Sequence, residues 1–139
     1  MPHFKSIWLW SLASFVLAGL TGLLFRFTVI FELPVNLHRD DIRHAHSHLM
    51  LFNWVTPVPM LLIGRHLSTE NTQQQLEYCL YAIVGLGLAS YLPFLLYGYE
   101  SVPVGSADSP LSVMLSGFIM FAWYWFATIY VRESFRIEN

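Results

Sequence analysis

Cysteine and charge are the two things this sequence has least of. A single cysteine, Cys79, excludes an intrachain disulfide, a CxxC metal pair and a CxxCH haem attachment. Charged residues are 12% of the chain, about half the share found in an average soluble domain. That scarcity argues against a water-soluble fold. The net charge of −2 offers nothing to a polyanion, and no nucleic-acid partner is expected. Spans three and four, as delimited below, contain no histidine, and the third loop contains neither lysine nor arginine. The polar second loop, RHLSTENTQQQ, holds no phosphate-binding motif and no catalytic triad. Only Lys5 precedes the first apolar run, which is too long for a signal-peptide core and is not closed by a small-residue cleavage site. It reads as a retained span.

Apolar sequence dominates what remains: 55% hydrophobic and 17% aromatic residues, with a mean hydropathy of +0.51. Crossing ~30 Å of hydrocarbon takes about 20 mostly apolar residues. Four runs meet that length: Ser6 to Thr28, Ile42 to Gly64, Leu76 to Gly98 and Leu111 to Val131. The polar remainder is too short for a second domain. Residues 1–139 are therefore expected to form a single all-α membrane domain, four transmembrane helices in an up-down-up-down bundle, with the lipid bilayer as first partner. In that topology one side holds Lys5, Arg65, Arg132 and Arg136, and the other holds Arg39 and Arg43 with Arg26 near its edge. The positive-inside rule then predicts that both termini are cytoplasmic.

The chemistry concentrates in Arg43 to Gly64, RHAHSHLMLFNWVTPVPMLLIG. His44 and His48 are four apart and share a helix face. His46 lies about 200° around the axis from each neighbour, so one helix cannot aim all three at one ion. An ionisable group in a span is costly unless it faces protein, water or a cofactor. The sequence leaves open whether these histidines are ligands or hydrogen-bonded structural residues near the headgroups. Asn53 needs a polar partner in mid-span, and Pro57 and Pro59 remove two helix donors and should kink or widen the helix.

Elsewhere the signals are structural. Ser14, Ala18 and Gly22 form a stripe of small residues at a spacing of four, which predicts close approach of another helix. Trp8, Trp10 and the cluster Trp123 to Phe126 with Tyr130 read as interfacial anchors. Arg26 either snorkels to the interface or reaches an acidic group on a cofactor. Pro34 bars a continuous helix in the first loop. Asp40 or Asp41 is expected to cap the second span, with metal ligation beside His38 as the rival role. A cap for the third span is expected among Ser68, Thr69 and Asn71, and Asp108 or Ser109 should cap the fourth before Pro110. Pro93 should bend the far end of the third span.

His46, with Met50, Phe52 and Pro57, resembles the second helix of subunit I in haem-copper oxygen reductases and nitric oxide reductases. The string HAHSHLMLFNW is also similar to the HAHxxLLGW-type segment of short bacterial membrane proteins related to subunit I. The resemblance covers Arg43 to Ile63. It implies an integral protein of the bacterial inner (cytoplasmic) membrane with His46 as an axial ligand to haem, used for electron transfer or gas sensing. Arg26 and Asn53 would be further cofactor-contacting residues. Subunit I completes its low-spin haem and its oxygen-reducing centre with histidines on late helices. Those helices have no counterpart here, so at most the His46 position transfers. A second axial ligand would come from a homo-oligomer, from a larger membrane complex or from an exogenous molecule. Two alternatives stand beside this reading. One is a cofactor-free structural or assembly subunit. The other is a copper or zinc site of His44, His48 and His38, which in its catalytic form makes the chain a membrane metalloenzyme.

Overall fold

The structure, a computed structural model, describes residues 3–32, 37–66, 69–105 and 107–137. Helix α1 spans His3–Phe27. Helix α2, Arg39–Met50, runs through a π-helical turn, Leu51–Val55, into α3, Pro57–Gly64. Helix α4 covers Glu70–Tyr97, a short hairpin pairs β1 (Val102–Val104) with β2 (Ala107–Ser109), and α5 covers Leu111–Ile137. Among the described residues four helical stretches, with α2, the π turn and α3 counted as one, are long and apolar enough to cross a membrane. Helices are the expected outcome for such runs, because lipid offers no partner to a backbone amide and an α-helix satisfies its own.

The helices outrun the apolar segments. Helix α4 starts at Glu70, ahead of the expected Leu76, and α5 continues past Val131 to Ile137. The added residues, ENTQQQ and RESFRI, hold several Glu, Gln and Arg. These long unbranched side chains lose little rotamer freedom in a helix and carry it beyond the hydrocarbon.

The shared core is built from Phe4 and Ile7 of α1, Phe52 of the π turn, Leu61 of α3, and facing residues of α4 and α5 such as Leu80, Ile83, Ile119 and Phe126. Outward faces keep large apolar side chains exposed, including Leu9, Leu23, Phe121 and Tyr124, which suits contact with lipid. Between α4 and α5, Cys79 Sγ donates to Ala122 O at 3.1 Å and Arg132 Nη2 to Gln75 Oε1 at 3.0 Å. At the hairpin end Ser112 Oγ donates to Gly98 O.

The prolines act as expected in the second span. Pro57 has no N–H to give, and the preceding turn is widened: Thr56 N reaches back five residues to Leu51 O at 3.1 Å, and Thr56 Oγ1 donates to the same carbonyl at 2.7 Å. Helix α4 runs through Pro93 to Tyr97. It stops at Gly98, whose φ of 56° and ψ of −118° suit glycine alone. Glu100 N then closes the turn onto Tyr97 O at 2.8 Å.

Two caps differ from expectation, and a third, at Thr69, agrees in position but not in its bonding. His38, in extended conformation, is the N-cap of α2 and gives no side-chain bond, while Asp40 and Asp41 sit in the first turn. There they still favour the positive end of the helix dipole. Asp40 Oδ1 lies 3.3 Å from Arg43 Nη2, and the Asp41 carboxylate lies against Gly98. Thr69 caps α4 by position, but its hydroxyl bonds Thr72 Oγ1 at 2.7 Å rather than a backbone amide. Asn71 lies inside the helix. Asp108 and Ser109 are drawn into β2 by pairing with Pro103 and Val102. The Pro110 carbonyl, not a side chain, takes the first helical bond, from Met114 N at 3.0 Å. Pro34 and Ser68 lie outside the described residues.

Candidate functional site

The site builds outward from the small-residue stripe of α1. Ser14 and Ala18 are buried, and the missing side chain at Gly22 makes room for the His46 ring. A Cβ there would stand 2.8 Å from His46 Cε1 and 3.0 Å from Nδ1. With the backbones this close, His46 Nδ1 lies 2.8 Å from Ala18 O. A carbonyl oxygen only accepts, so Nδ1 carries the proton and donates. In the neutral ring Nε2 then keeps the lone pair. His46 is half-buried on this seam.

One and a half to two turns further along, Asn53 finds the partners its burial requires. Its Nδ2 donates to Val84 O at 2.9 Å and to Ser14 Oγ at 3.2 Å. Ser14 Oγ has already given its own proton to Trp10 O at 2.8 Å, so it accepts from Asn53. Asn53 Oδ1 is buried without a hydrogen-bond partner and packs against Gly87. One amide thus ties the π turn to both α1 and α4. Thr21 Oγ1 and Tyr91 OH, 2.8 Å apart, add a direct tie between α1 and α4.

His44 and His48 occupy a different face of α2, as their spacing requires. The His48 ring lies flat on Phe94, with centroids 4.0 Å apart and planes 7° apart. Its Nε2 is 3.0 Å from Tyr99 OH, and its Nδ1 is buried with no hydrogen-bond partner. His44 meets the Tyr99 ring edge-on at 4.6 Å. The two imidazoles are 6.5 Å apart, tilted by 45°. To share one ion at about 2.1 Å from each nitrogen they would have to turn toward each other, and His48 would leave its stack on Phe94. His38 is exposed at the start of α2, and Arg26 is exposed in the last turn of α1.

The structure therefore brings His46 to the α1 seam with Asn53 further along it, and separately gathers His44 and His48 around Tyr99. Among the described residues no group of three or more His, Cys, Asp or Glu side chains is arranged to hold a metal ion. His38, His44 and His48 are thus not gathered as one ligand set. The hollows of 390, 210, 530 and 370 Å³ are lined by residues other than histidine.

Phe94 and Tyr99, which define the surroundings of His48, escape sequence reasoning because they follow two helices later. The one local signal is Gly98, whose turn returns Tyr99 toward α2. Glu133, 2% exposed in the last turns of α5, is likewise invisible beside its arginine neighbours. Compared with protein-family models, with curated proteins and with solved structures, the chain matches none.

Proposed function

We propose that the chain is an integral membrane haem-binding protein of a bacterial inner membrane, for electron transfer or gas sensing, with His46 as an axial ligand. The observation that carries this is the anchored imidazole. Ligating histidines characteristically donate their other ring N–H to a carbonyl or carboxylate, which fixes the tautomer and raises the basicity of the ligating nitrogen. Nδ1 of His46 on Ala18 O meets that condition, and the residues present fit one axial position. When bound, a haem supplies one-electron chemistry or a gas-binding iron. The chain's own part is to hold Nε2 in place through Gly22 and Ala18. Asn53 acts as a positioning residue, fastening the π turn below His46 to α1 and α4. Arg26 follows Gly22 by four residues on the same face of α1, where its guanidinium suits a carboxylate of the cofactor.

The second axial ligand comes from outside this chain: a second copy, a partner subunit or an exogenous molecule. An up-down-up-down arrangement of one four-span unit, with both termini cytoplasmic, completes the proposal. Its support is the sense of the pairings. Ser14 and Ala18 meet Asn53 and His46, Asn53 and His48 meet Val84 and Phe94, and Gln75 and Cys79 meet Arg132 and Ala122.

The test is the absorbance spectrum of detergent-purified protein, oxidised and reduced, with metal analysis on the same sample. The wild type should show a Soret band that His46→Ala loses. An unchanged band and metal content in His46→Ala ends the ligand assignment. Copper or zinc without haem, lost in His44→Ala and His48→Ala, would move the site to the other face of α2. A second reading, a cofactor-free assembly subunit of a larger membrane complex, is favoured by His48, which commits its ring face to Phe94 and its Nε2 to Tyr99 of the same chain. A wild type carrying neither haem nor metal selects it.

A further inference from the structure

Where α4 begins and α5 ends, the helices border an open hollow of about 390 Å³ lined by Asn71, Thr72, Arg132, Glu133, Phe135 and Arg136. Its charges are arranged by depth. Glu133 is 2% exposed, whereas the side chains of Arg132 and Arg136 are 55% and 66% exposed. Glu133 Oε1 stands 3.9 Å from Arg132 Nε and 3.8 Å from Arg136 Nη1. These separations neutralise charge but exceed hydrogen-bond length. A carboxylate offers several acceptor lone pairs, and the two guanidiniums neutralise the charge of Glu133 without occupying one by a hydrogen bond of their own. Arg132 is meanwhile held over the hollow by its bond to Gln75. The first turn of α4 adjoins, and its N-cap side chain bonds no backbone amide there, which leaves the positive end of a 28-residue helix facing the same region.

An acceptor anion at depth beneath two guanidiniums at the rim is the complement of a zwitterion with an ammonium tip and a phosphate behind it. Phosphate alone would meet Glu133, and a metal cation would meet two guanidiniums. The level is also informative. Tyr124, Trp125 and Tyr130, exposed on α5, precede the hollow, and such aromatic groups sit at headgroup depth; Trp123 instead packs against Phe52 in the core. We propose that this hollow binds a phosphoethanolamine group, its ammonium donating to Glu133 and its phosphate accepting from Arg132 and Arg136. The same chemistry is offered by a phosphatidylethanolamine headgroup and by free phosphoethanolamine.

The full chain, purified and delipidated in detergent, decides the matter by thermal unfolding and native mass spectrometry. Phosphatidylethanolamine, phosphatidylcholine and phosphatidylglycerol of matched acyl chains are added separately, and soluble O-phosphoethanolamine forms a fourth arm. Phosphatidylethanolamine should raise the unfolding temperature and stay bound. Phosphatidylcholine, which has no N–H to donate, and phosphatidylglycerol, which has no ammonium, should do neither. Glu133→Gln and Arg136→Gln should each weaken phosphatidylethanolamine by about tenfold, the scale of a lost charge-assisted bond. Competition by O-phosphoethanolamine shows that the headgroup suffices. Binding of O-phosphoethanolamine without the lipid makes the free compound the ligand. Equal effects of phosphatidylethanolamine and phosphatidylcholine, or a stronger effect of phosphatidylglycerol, overturn the proposal. That comparison uses wild-type protein and holds even if Glu133→Gln fails to accumulate.

Discussion

At the scale of single residues, two glycines show how finely the histidine seam is fitted. Gly22→Ala places a methyl 2.8 Å from His46 Cε1, and the ring must turn away from Ala18. The loss of that bond and the overpacking together should cost about 1–3 kcal/mol and should lower cofactor occupancy in step. Gly85 is the control, since nothing lies within 4 Å of its added methyl. Gly85→Ala should leave the spectrum unchanged and should not lower the unfolding temperature. The sequence offers both glycines as close-packing surface, Gly22 in the α1 stripe and Gly85 with Gly87, Ala89 and Ser90 in the third span, but Gly85 is exposed with nothing against it, so only Gly22 is used that way. The sequence does not show that the partner across the gap is an imidazole rather than another small residue. Polar demands were legible in the same one-sided way. Asn53 announces a need, and only the fold names Ser14 and Val84 as the groups that meet it.

At the scale of elements, the second span carries the unusual geometry. Its π turn holds one residue more than α-helical register needs, and the surplus falls between the histidines and the proline-started α3. Deletion of Val55, half-exposed within that turn, should let the span relax to plain α-helix with Leu61 and Gly64 still facing the core. Deletion of Leu86 from the middle of α4 should instead rotate everything beyond it by about 100° and misplace Ser90 and Phe94. The expected outcome is a monodisperse peak in size-exclusion chromatography for the first variant and aggregation for the second. Comparable aggregation of both would show that the π turn is required as it stands. The prolines made a disturbance here foreseeable. Its form depended on Thr56, which spends both its N–H and its hydroxyl on Leu51 O.

For the whole molecule, the pairings along the seams lead to an expectation about topology. Reporters fused at residue 1, within Arg65–Gln75 and at residue 139 should all give the cytoplasmic signal, and one inserted at Gly105 the opposite. A split between the two termini would remove the up-down-up-down arrangement and the orientation of the histidine face with it. The spectroscopic test of His46 addresses the α1–α2 seam and the lipid test of Glu133 the α4–α5 seam, so one can fail while the other stands.

Run length and the scarcity of charge already dictate four helical stretches long and apolar enough for a bilayer. The spacing of the histidines likewise dictates that His46 parts company with His44 and His48, because a two-residue offset rotates side chains to different faces of any helix. Helix ends were harder. Asp40, Asp41, Asp108 and Ser109 have the chemistry of caps, but the chain spends them on a first turn and a strand. The tertiary structure alone decided what each histidine meets. Ala18 O, Phe94 and Tyr99 lie far from the histidines in sequence, and contacts of that range follow from how helices pack rather than from any local pattern. The same holds for Glu133, whose burial beneath two arginines exists only once α4 is laid against α5.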